Sequence, residues 1–74
     1  MTIRKYDKEL YPATLFAPAL EAFSELAQIR VLRRNKEIIC FFFHCKYDPK
    51  QTMNEFSNYL IDLNGVRGTA DGDP

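Results

Sequence analysis

Cys40, His44 and Cys45 are the side chains of this chain best suited to hold a metal or carry redox chemistry. They fall in the run Ile38-Ile39-Cys40-Phe41-Phe42-Phe43-His44-Cys45, whose composition reads as a β-strand. Successive side chains of a strand point to opposite faces. Cys40 and His44 would then share a face but lie ~13 Å apart along the strand, whereas one zinc holds its ligands at ~2.0–2.3 Å. Cys40 and Cys45 would point to opposite faces, roughly 16 Å apart, and a disulfide needs Cα atoms within about 7 Å. Both are therefore expected to be reduced thiols acting as small apolar side chains. No base stands at a recognisable spacing to activate Cys45 as a nucleophile. His44 reads as a partly buried, hydrogen-bonded ring at a strand end.

Charge offers two further constellations. Arg30, Arg33, Arg34 and Lys36 make a basic segment, but the 10 Lys and Arg balance the 10 Asp and Glu, and Glu37 sits beside it. Nucleic-acid binding wants more positive charge with interleaved exposed aromatics, so the segment reads as a solvated tip or a dock for an acidic surface. Glu21 and Glu25 lie one helical turn apart on a polar face, with no apolar pocket to tune them. The three glycines all fall at or after position 65, so no phosphate-cradling loop is present. No catalysis and no cofactor are expected. The longest apolar run is far below the ~20 residues of a spanning helix, and Met1 to Asp7 lead into no signal-type stretch. A cytoplasmic protein that touches neither membrane nor nucleic acid is expected.

The elements that position these groups can be read from spacing. At 74 residues the chain is one domain, near the lower limit for a core without staples. Residues 2–6 alternate as a short edge strand, and Asp7 to Leu10 form a polar connection. Tyr11-Pro12 opens a helical region in which Leu15, Ala19, Ala22, Phe23, Leu26 and Ala27 recur at helical spacing. Either this helix starts at about Thr14, which leaves Pro18 at the end of the first turn, or it is kinked at Pro18, and the early start is the favoured reading. Ile29 to Arg34 read as a strand, Asn35-Lys36 as a tight two-residue turn with Asn35 suited to positive φ, and Glu37 to Cys45 as the returning strand. Asp48 suits the N-cap of a second helix, Pro49 its first position, and Gln51 the reciprocal cap partner. Met53, Phe56, Leu60 and Leu63, widened by Tyr59, form its stripe, and Asn64-Gly65 its stop. The domain then spans 1–67, with 68–74 a flexible tail. The order β-α-β-β-α implies a two-layer α+β fold. Its three-stranded sheet has order 1-3-2, first and second strands parallel, and both helices lie on one face.

That architecture leaves one face of the sheet uncovered, yet the strand Ile38–Cys45 is apolar on both faces. A strand with one wet side should alternate, and exposed apolar patches mark association sites. The expected function is a non-catalytic interaction module that forms a homodimer or holds a protein or peptide partner. The contact would be carried by Phe41, Phe42 and Phe43 with Val31 and Leu32 beside them. One alternating set fills the core and the other makes the contact; the spacing leaves open which. A free edge at the Ile3 or Ile29 strand offers an alternative contact by strand addition. The rival is a small metal- or redox-dependent protein using Cys40, His44 and Cys45.

Tyr11-Pro12, Ala19 and Phe23-Ser24-Glu25 running directly into a strand, and Glu55 to Asp62 followed by Arg67, together resemble the small HxsD proteins of His-Xaa-Ser peptide systems. Those proteins show a Tyr-Pro, a helix ending in Phe-Thr-Asp or similar, a hairpin, and a closing Phe-x-Asn-x-Leu-x-Asp pattern. The likeness spans residues 2–67, with Pro18 and the early Gly65 as departures. It implies an accessory protein working alongside radical-SAM enzymes in peptide maturation, with no catalytic residues to carry over.

Overall fold

A computed structural model describes residues 2–69, with backbone alone over 66–69. Strand β1 spans Thr2–Asp7, and a 3-10 turn, Ala13–Leu15, leads into helix α1, Phe16–Ala22. Strands β2, Gln28–Arg33, and β3, Glu37–Phe43, form a hairpin, and helix α2, Pro49–Thr69, follows. The sheet has the order β1-β3-β2 with β3 central and antiparallel to both neighbours. The two outer strands are therefore parallel to each other, and the α+β architecture is the expected one.

Residues directly opposite in a ladder share a face. Tyr6 pairs with Ile38, Arg4 with Cys40 and Thr2 with Phe42 on one side; Val31 pairs with Cys40 and Ile29 with Phe42 on the other. This is the face the helices cover. Its core joins Tyr6, Ile38, Cys40 and Phe42 to Leu15, Phe16, Ala19 and Phe23, and to Phe56 and Leu60 of α2. The rings pack edge-on about Phe56, with centroids 5.2 Å from Phe23 and 5.5 Å from Phe42. Tyr6 adds a second centre, 5.1 Å from Tyr11 and 5.5 Å from Phe16. Edge-to-face pairs of this kind contribute beyond their buried area.

Four local expectations are corrected. The first helix does not run to Ala27: it ends at Ala22, and Leu26 and Ala27 both donate to the Phe23 carbonyl in a closing turn. Pro18 sits third in α1, where first-turn amides lack helical partners anyway. The hairpin loop is two residues long, but neither Asn35 nor Lys36 has positive φ. Instead the Arg34 amide donates to the Glu37 carbonyl at 2.8 Å, and the Lys8 amide to the Lys36 carbonyl at 3.1 Å. Asp48 does cap α2, its Oδ2 accepting from the Gln51 amide at 3.0 Å. The Gln51 side chain, however, reaches forward to Glu55 rather than back to the cap.

Helix α2 also does not stop at Asn64-Gly65. Gly65 has no positive φ, and the Asn64 amide side chain donates to the Leu10 carbonyl at 3.2 Å rather than terminating the helix. The expected tail therefore begins inside α2, and residues 70–74 lie outside the described residues.

Candidate functional site: the uncovered sheet face

The pleat that sends Ile38, Cys40 and Phe42 inward sends Ile39, Phe41 and Phe43 outward. On β1, Ile3 lies opposite Phe41 and Lys5 opposite Ile39. On β2, Leu32 lies opposite Ile39, Arg30 opposite Phe41 and Gln28 opposite Phe43. The outward face is thus an apolar spine on the central strand, flanked diagonally by Ile3 and Leu32 and by two cations, Lys5 and Arg30. None of the apolar residues of this face belongs to or packs against the helix-covered core. Ile39 is only 7% exposed, while Ile3 and Leu32 are 48% and 45% exposed. Phe41 and Phe43 are half-buried. At the hairpin end the face turns polar, with Asp7 opposite Glu37 and Arg34 bonded to Glu37 through the backbone.

Of the five residues expected to make the contact, three stand on this face: Leu32, Phe41 and Phe43. Phe42 does not. It is 1% exposed against Phe56, and Val31, opposite Cys40, packs against the same core. Alternation assigns both to the helices, so neither is available to a partner on the open face. Ile3, Ile39, Lys5, Gln28 and Arg30 stand beside them on this face and were absent from the expected contact set. The signal for Ile3 was its spacing of three from Tyr6, which puts it on the opposite face of β1.

The thiols and the histidine are not brought together. Cys40 is fully buried among the helices, and burial pushes its thiol up to about 12. β3 ends at Phe43, and His44, exposed rather than partly buried, adopts a left-handed φ of 47°. That residue breaks the alternation, so Cys45 turns to pack against the core instead of joining the Phe41 face. The Lys46 amide then donates to the Leu26 carbonyl at 2.7 Å, fixing the connection. Both cysteines are free. Among the described residues, no group of three or more His, Cys, Asp or Glu is placed to hold an ion.

The basic segment is dispersed by the register. Arg30, opposite Phe41, belongs to the open face and Arg33, opposite Ile38, to the other, while Arg34 and Lys36 lie between β2 and β3. Glu21 and Glu25 are both exposed, and Glu25 lies beyond the end of α1. A dent of about 350 Å³ beside the hairpin tip is lined by Asp7, Lys8, Glu9, Asn35 and Lys36, and a cleft of about 190 Å³ by Leu26, Tyr47, Gln51, Thr52 and Glu55. No buried side-chain polar atom among the described residues lacks a partner, so neither hollow encloses a buried unmatched group. No described helix is long and apolar enough to cross a membrane. No protein-family model, curated protein or solved structure matches the chain.

Proposed function

We propose that this chain is a non-catalytic interaction module that holds a protein or peptide partner on the uncovered face of its sheet. The observation that carries the reading is the outward set Ile39, Phe41 and Phe43, with Ile3 and Leu32, standing apart from the core formed with the helices. Ile3 and Leu32 remain about half exposed in the isolated fold, and Phe41 and Phe43 are partly exposed. They gain free energy only when water is removed from them. The HxsD likeness in Tyr11-Pro12, Phe23-Ser24-Glu25 and the α2 pattern supports, alone, the further reading of an accessory subunit in peptide maturation.

The test compares variants rather than catches. A chain carrying Leu32→Ser and Phe43→Ser is set against one carrying Ile61→Ser, which alters an exposed apolar residue on α2. The open-face variant should lose an association that the wild type shows, whether self-association by sedimentation or a copurifying protein, and the Ile61 variant should keep it. If the open-face variant associates as the wild type does, the reading fails.

A further inference from the structure

The chemistry of the occupant can be read from the rim of the face. Resting on the interaction reading above, we infer that the open face receives a single amphipathic α-helix of another protein, whose apolar stripe is bordered by acidic residues on both sides.

Two features select this partner, and the first is shape. Strands lie ~4.8 Å apart, so the outer two are separated by about 10 Å, close to the ~10–12 Å diameter of a helix with its side chains. The spine from Ile39 to Phe43 is about 13 Å long at ~3.3 Å per residue. A helix crosses that length in about nine residues at 1.5 Å each, enough to present apolar side chains at i, i+3 or i+4, and i+7. Ile3 and Leu32, set diagonally on either side of the spine, form the walls of such a seat.

The second is charge. Beside the spine the face carries Lys5 on one flank and Arg30 on the other, both exposed, and no carboxylate at that level. Asp7 and Glu37 are confined to the hairpin end, beside Arg34. A stacked second copy would bring its own Lys5 and Arg30 to the rim of the same small spine, adding like charge to like, an arrangement that disfavours the wrong partner. A helix with Glu or Asp flanking its stripe instead meets both cations.

The experiment uses two synthetic peptides of about 14 residues with one leucine stripe at helical spacing. One carries glutamates at the flanking positions and the other lysines. Each is titrated into the isotopically labelled full chain. The glutamate peptide should bind about tenfold more tightly, more so at low salt, with resonance shifts centred on Leu32, Ile39, Phe41 and Phe43. A chain carrying Lys5→Glu and Arg30→Glu, both at exposed positions and checked for fold by its amide spectrum, should reverse the order. Equal affinity for the two peptides, no binding at millimolar concentration, or shifts centred elsewhere would overturn the inference. A dimer of the chain that buries this face would overturn the helix while leaving the interaction module standing. Wild-type behaviour of the Leu32 and Phe43 variant would remove both.

Discussion

Tyr6 and Cys40 are the two titratable side chains that the fold takes furthest from water. Tyr6 lies at the meeting of β1, α1 and α2, and its hydroxyl is 2.8 Å from Ser57 Oγ. Because Ser57 donates to the Met53 carbonyl at 3.1 Å, Tyr6 is the donor in the first bond, and the pair is satisfied without water. Burial pushes the phenol up to about 12 from 10.0, and the Cys40 thiol up to about 12 from 9.0. Between the unfolded and folded values the folded chain binds more protons, so stability falls as pH rises. Urea midpoints should hold through neutral pH and decline between pH 9 and 12. Cys40→Ala should delay the onset toward 10.0, where the phenol begins to titrate. A midpoint that rises over this range would contradict the burial of both groups. Tyr6 was legible only as a residue of a weak edge strand. Its place at the hub depends on a partner 51 positions away, which no local pattern encodes.

The start of α2 was legible because capping is local. Asp48 and Pro49 have one good use each, and the structure gives them that use. Asp48→Ala should cost about 1 kcal/mol, measured by chemical unfolding, whereas Gln51→Ala should change stability by about 0.5 kcal/mol or less because its side chain meets Glu55 on the surface. Equal losses would restore the reciprocal cap read from spacing. The ends of both helices were read less well. Ala22, Leu26 and Ala27 continue the helical spacing, yet the chain must turn after Ala22 so that β2 can pair with β3, and Phe23 and Ala27 are buried from the turn instead. Gly65 looked like a stop, and glycine costs a helix about 1 kcal/mol relative to alanine. One such residue does not end a helix whose previous turn is held by Leu63 on the core and by Asn64 on the Leu10 carbonyl.

Taken whole, the molecule divides its six phenylalanines by face. Phe16, Phe23, Phe42 and Phe56 form the core, while Phe41 and Phe43 stand on the opposite side of the sheet. Phe56→Ala should cost about 3–5 kcal/mol, comparable to the whole stability of so small a domain. Phe43→Ser should cost about 1 kcal/mol or less and raise solubility. Thermal unfolding of the two variants checks the division, and similar losses would place Phe43 in the core after all. Much of this was within reach of the residue order. The three strands, their hairpin and the sheet order are legible in the alternation and in the apolar run Ile38–Cys45, although β3 ends at Phe43 and Asn35 does not take the positive φ read for it. The hairpin even carries the face assignment. With Arg34 opposite Glu37, Val31 falls opposite Cys40 and Ile29 opposite Phe42, so the apolar pair of β2 marks the Phe42 side as inward. Packing alone settled the rest: that Tyr6 closes the core, that His44 turns Cys45 inward, and that Ile3, Lys5 and Arg30 meet around Phe41 and Ile39. Those neighbours come from three strands distant along the chain, and only the folded register brings them to one surface.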